Sequence, residues 1–197
     1  MRGSRGRAFS WIEALLILSI LALVLASSHP RVRGKGIARN ESFALATLAR
    51  LSRAEREFQE ASPGNFASLS TLLVEGRFRL EGGTFLEGET LRAQGYLFRL
   101  SPLPEPSGES RPANFTPPFV ALAWPIEYGR TGNGAFSLEG TGICRESRNA
   151  RRRYSGLDQG PSPRAAERDP ETLGTDPGRH FGLDREEWRL VPLPTGG

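Results

Sequence analysis

Phe9-Ser-Trp-Ile-Glu13-Ala-Leu-Leu-Ile-Leu-Ser-Ile-Leu-Ala-Leu-Val-Leu-Ala26 is the stretch that decides how the rest of the chain is read. Its 18 residues, counted from Phe9 to Ala26, would span roughly 27 Å as a helix at 1.5 Å per residue, close to the hydrocarbon thickness of a bilayer. A short basic leader carrying Arg2, Arg5 and Arg7 precedes it, and Pro30 follows it. One carboxylate, Glu13, interrupts the apolar run near its start. An acid in a lipid-facing helix is costly unless it has a partner, so Glu13 is a functional candidate. Three readings of the segment stand side by side. A cleaved signal peptide ending in the small residue Ala26 would release a chain starting at Ser27. A plain signal-anchor helix is supported by length alone, with its orientation left open because Arg31, Arg33, Lys35 and Arg39 match the charge of the leader. The third rests on a likeness described below.

The chain has 197 residues, 26 of them basic and 22 acidic, for a net charge of +4. That leaves room for the anchor and one modest domain. The basic residues are nearly all arginine and are scattered. Without an aromatic-interleaved basic motif or zinc-ligand spacing, nucleic-acid binding is not expected. Cys144 is alone, which excludes an intrachain disulfide and a cysteine-based tetrahedral metal site. It reads as a small buried hydrophobe in a strand. His29 and His180 lack neighbours at ligand or triad spacing, and Gly132 and Gly134 lie between strands rather than ahead of a helix. No catalytic residue, metal or cofactor is expected, and nothing makes a case for an enzyme.

Beyond Pro30, which removes a helix hydrogen bond and disfavours helix at His29, the glycines Gly34 and Gly36 predict a kink or break near residues 29–36, with Asn40 as a new N-cap. Ala44, Leu48, Leu51 and Phe58 then recur at helical spacing with Leu45 beside them. Arg53/Glu57 and Arg56/Glu60 stand one turn apart, and Ser62-Pro63-Gly64-Asn65 ends the helix near Ala61. Residues 66–73 read as a short helix or turn and 77–86 as a weak hairpin. Clearer strands follow at Gly95–Leu100, Phe119–Trp124, Ala135–Leu138 and Ile143–Arg145. The excursion from Ser101 to Pro118, rich in Pro and Ser, reads as an exposed loop. After Arg148 the composition turns to Arg, Pro, Gly and acids, which predicts disorder from about 150 to 185. Trp188-Arg-Leu-Val-Pro-Leu193 is the exception, a candidate edge strand or partner-binding segment.

Ala8-Phe9-Ser10-Trp11-Ile12-Glu13, the apolar helix and Pro30 together resemble the processing and stalk region of type IV pilins and type II secretion pseudopilins. The resemblance implies a prepilin peptidase cut between Ala8 and Phe9, N-methylation of Phe9, and pairing of Glu13 with the terminal amine of the neighbouring subunit. It also implies a proline kink at Pro30. Ala8 stands where the family commonly has Gly, and Trp11 where it has Leu. The Gly95-Tyr-x-Phe98, Phe119-x-Ala-x-Ala-x-Pro125, Gly129-Arg-Thr-Gly-x-x-x-Phe136 and Gly142-x-x-Arg145 segments are similar to the family's globular domain, so the likeness covers roughly residues 6–147. The expected fold is α+β: a long N-terminal helix, membrane stalk plus amphipathic half, packed on a small antiparallel sheet, pilin-like, with a disordered tail. The expected segments are a leader at 1–8, stalk at 9–29, amphipathic helix at 30–61, β head at 62–147 and tail at 148–197.

The implied function is that of a structural subunit of a type II secretion pseudopilus or type IV pilus-like filament. The small head without a C-terminal disulfide loop leans toward the former. Implied partners are other pilin-like subunits, the prepilin peptidase/methyltransferase and an inner-membrane assembly platform. The implied location is the inner membrane, single-pass, with the N-terminus cytoplasmic and the head periplasmic. The rival expectation is a monomeric anchored or secreted periplasmic binding domain.

Overall fold

Helix α1 runs Trp11–Ala61 in the computed structural model, which describes residues 10–103, 118–171 and 178–193, the side chains of 24–33 excepted. The longer part of α1 with described side chains is the 28 residues 34–61. The chain divides into two units, residues 1–36 and 37–197. Helix is assigned through 29–40 without interruption, so the break expected near Pro30 is absent. Asn40 is not an N-cap; from mid-helix its Nδ2 donates to the Thr131 carbonyl at 2.8 Å. Among the described residues no helix is long and apolar enough to cross a membrane.

In the second unit, a short helix α2 (Leu69–Val74) follows, capped by Ser68, whose hydroxyl accepts from the Thr71 N–H at 3.1 Å. Eight strands follow among the described residues: β1 (Thr84–Leu86), β2 (Thr90–Ala93), β3 (Tyr96–Pro102), β4 (Phe119–Pro125), β5 (Ala135–Glu139), β6 (Cys144–Ser147), β7 (Arg179–Phe181) and β8 (Glu187–Leu190). They form one antiparallel sheet in the order β1-β2-β3-β4-β5-β6-β8-β7. This overturns the expected fold class. The sheet is not a small one: β7 comes from the stretch expected to be disordered, and β8 from the candidate strand at Trp188. The Ser101–Pro118 loop lies mostly outside the described residues.

Alternation assigns the two faces of the sheet. Tyr96, Phe98 and Leu100 of β3 join Phe119, Ala121 and Ala123 of β4, with Phe136 and Leu138 of β5, in one cluster. Ala44, Leu48, Leu51 and Ala54 of α1 fill it, with Leu69 and Leu72 of α2. The intervening residues Leu97, Val120, Leu122, Trp124 and Ala135 form a second cluster with Tyr154, Ala165, Ala166 and Trp188. Every residue of β4 is therefore buried. A strand covered on one face alternates apolar and polar residues; one covered on both reads as an unbroken apolar run, as Phe119-Val-Ala-Leu-Ala-Trp does.

Tight approaches fix the turns. A Cβ on Gly132 would lie 2.2 Å from the Tyr96 hydroxyl oxygen, which itself bonds the Gly134 carbonyl at 3.0 Å. The Gly129–Gly132 segment is thus a close-packed connection, its ends joined by a 2.9 Å backbone bond from the Gly129 N–H to the Gly132 carbonyl.

Candidate functional site

Over residues 11–23 of α1 the large apolar side chains are exposed. Trp11 is 85% exposed, and Ile12, Leu15, Leu16, Ile17, Leu18, Ile20, Leu21 and Leu23 are each more than half exposed. At 100° per residue these positions point around the whole circumference, so no single polar face balances an apolar one. The described polar groups of this stretch are turned back onto the helix. Ser19 donates its hydroxyl to the Leu15 carbonyl at 2.5 Å. Glu13 Oε2 accepts the Ser10 N–H at 3.0 Å, while the Ser10 hydroxyl accepts the Ile12 N–H at 3.3 Å.

That reciprocal arrangement is a capping box, Ser10 before the helix and Glu13 in its first turn, satisfying N–H groups that a helix start leaves unpaired. The Ser-x-x-Glu spacing announces it in the sequence. Glu13 thus has an intrachain role. Its second oxygen, Oε1, has no hydrogen-bond partner among the described residues, so a carboxylate already fixed by one N–H keeps a lone-pair face for a cation. Ala8 and Phe9, the expected cleavage and methylation residues, lie outside the described residues, as does the side chain of Pro30.

A second group of polar residues was missed entirely. It ties the C-terminal segment to the sheet. Asp184, nearly buried, accepts from the Tyr154 hydroxyl at 2.5 Å, the Trp188 indole N–H at 3.1 Å and the Glu186 N–H at 2.9 Å. Glu186, also buried, accepts the backbone N–H groups of Arg151, at 2.7 Å, and Arg152, with the Ser147 hydroxyl at 3.3 Å. Asn149 braces the same turn by accepting the Tyr154 N–H at 2.6 Å and donating to its carbonyl at 3.0 Å. Burial, reinforced by the Asp184 hydrogen bond, raises the Tyr154 phenol well above its ordinary range. It donates to Asp184 and stays neutral.

Three further buried groups are shifted upward: Tyr96, whose phenol burial holds above its ordinary range, Cys144 and Glu55. Cys144 opens β6, and burial first, the Glu146 charge second, push its thiol up to about 12. It is a packing residue rather than a nucleophile. Glu55, fully buried on α1, accepts the Ala67 N–H at 3.2 Å and is pushed up to about 7 by desolvation. Neither the expected Arg53/Glu57 nor the Arg56/Glu60 ion pair forms among the described residues. Among the described residues no group of three or more His, Cys, Asp or Glu side chains could hold a metal ion.

No family model matches this chain, and no curated protein or solved structure matches it either.

Proposed function

We propose that this chain is a structural subunit of a helical filament of the type II secretion pseudopilus or type IV pilus kind, assembled through its N-terminal helix. One observation carries the reading: apolar side chains around the entire circumference of residues 11–23 are exposed. A contiguous apolar surface of that kind marks a membrane or protein contact. In the membrane it faces lipid; in a filament it faces the same helix of neighbouring subunits.

The chemistry of assembly follows from Glu13. Cleavage between Ala8 and Phe9 by a prepilin peptidase frees an amine at Phe9, and methylation leaves its positive charge in place. That ammonium of one subunit approaches the free oxygen of Glu13 on the next, while the other oxygen keeps the helix capped. The pair is neutral only when neighbours are in register, so a misplaced subunit leaves an unpaired charge in an apolar bundle, the costlier state. An inner-membrane assembly platform completes the set of partners. The precursor resides in the inner membrane, with the head on the periplasmic side.

Two substitutions separate the cap from the pair. Glu13→Gln keeps an acceptor for the Ser10 N–H but removes the charge; Glu13→Ala removes both. Both variants are expected to insert in the membrane and to fail to enter filaments, scored by crosslinking and by filament yield. Wild-type incorporation of Glu13→Gln would show that Glu13 serves the cap alone and would sink the pairing mechanism.

A further inference from the structure

We propose that the crevice at the β6–β8–β7 end of the sheet binds an oxyanion, a carboxylate or phosphate group, through Arg148 and Arg151 over the ring of Phe181. The inference is independent of the filament reading.

The crevice has a volume of about 330 Å³. Its floor follows from strand register, which sets Glu146 beside Arg189 and Arg189 beside Arg179, with Phe181 opposite Glu187. Arg148 and Arg151 come in from the turn after β6. Four arginines and three glutamates therefore meet there, and the balance of charge depends on which are already paired. Glu146 holds Arg189 at 2.8 Å. Glu187 faces Arg179 at 3.7 Å. Glu186 is buried and saturated by the Arg151 and Arg152 N–H groups and the Ser147 hydroxyl.

Two guanidinium groups are left without an acid. The Arg151 guanidinium stands 5.1 Å over the Phe181 ring and donates only to the Arg185 carbonyl at 3.3 Å among the described residues. Arg148 is exposed and has no hydrogen-bond or ion-pair partner among the described residues. Guanidinium forks match the two oxygens of a carboxylate or a phosphate edge. The carboxylates lining the crevice are already engaged, so the site disfavours a cation.

The turns that present these arginines are held at a cost. Asn149, Arg153 and Arg185 adopt left-handed φ values of 54°, 52° and 65°. Such residues persist only where surrounding structure enforces them, and they cluster at functional sites. Here the enforcement comes from Glu186, Asn149 and Asp184. The site is built before any ligand arrives.

The test is calorimetric titration of the full-length chain in nonionic detergent at low salt, with inorganic phosphate and with succinate as probes. Wild-type protein is compared with Arg148→Gln, with the Arg148→Gln/Arg151→Gln double variant and with Arg56→Gln, an exposed arginine elsewhere. Near-UV circular dichroism confirms that Trp188 keeps its packing in each. Saturable one-to-one binding of either probe is expected, weakened severalfold by the single change and tenfold or more by the double one, and unchanged in Arg56→Gln. Phosphate binding alone identifies a phosphate ligand, and succinate alone a carboxylate. Binding of neither probe, or equal loss in Arg56→Gln, overturns the proposal.

Discussion

Residues 11–23 and residues 148–193 invert the usual relation between composition and burial. The first segment is almost entirely apolar and yet lies exposed on all sides. The second is dominated by Arg, Pro, Gly and acids and yet contributes two strands, a fully buried Trp188 and a second core cluster. The difference lies in where each finds its partners. An exposed apolar rod offers its surface to lipid or to other chains. A polar segment becomes ordered when its few large apolar groups fill one site and its buried acids are saturated by hydrogen bonds.

The strongest way to break that contrast is Trp188→Ala. The side chain is fully buried against the sheet and its indole N–H is held by Asp184. Its loss is expected to destabilise the second unit by about 3–5 kcal/mol in denaturant titration. A midpoint close to wild type would mean the C-terminal segment is draped over the sheet rather than part of its core.

Glu55 sharpens the comparison from the other side of the sheet. Asp184 and Glu186 each collect three donors, whereas Glu55 has the Ala67 N–H and Gln59. Its folded carboxyl is raised from the usual 4.5 to about 7, by desolvation above all. A raised carboxyl favours the protonated folded form. The stability linked to Glu55 is therefore fully present below about pH 4.5 and is lost as pH rises through about 7. Wild type should lose roughly 3 kcal/mol across that window from this group. Glu55→Gln, which keeps an acceptor for Ala67, should flatten the loss and be the more stable protein at pH 8. Parallel stability profiles for the two proteins between pH 5 and 8 would contradict the assignment.

The smallest effect concerns backbone strain near the C-terminal turns. Arg185 sits at φ 65°, a conformation that suits glycine. Arg185→Gly should stabilise by about 0.5 kcal/mol, the relief of strain offset by glycine's larger loss of chain entropy. Thermal unfolding at matched pH measures it; a fall in midpoint would show that the Arg185 side chain makes a contribution of its own.

Much of the sheet was legible. The runs beginning at Gly95, Phe119, Ala135 and Ile143 fall on β3 to β6 because short apolar stretches, alternating or continuous, bounded by glycine and proline survive in the sequence. At the C-terminus β8 falls on the candidate strand at Trp188, though it lies inside β7 rather than at the sheet edge, whereas three-residue β7 carries too little pattern and sits in a stretch whose composition argues for disorder. A clue was nevertheless present in β4. Six apolar residues without alternation, Phe119 to Trp124, demand cover on both faces, and α1 with α2 supplies only one. The tail was the remaining chain able to cover the other. At the N-terminus the helix at Trp11 onward and the candidate Glu13 were readable. The capping box around Glu13 was readable too, from Ser10, and gives that residue a local role alongside the proposed one.

The filament reading rests on what happens at Phe9, and intact mass with N-terminal sequencing of the mature, membrane-derived protein tests it most directly. The expected product begins at Phe9 and carries one added methyl group on its amine. A mature chain that still begins with the leader, or one that begins at Ser27 with the apolar helix removed, would contradict it.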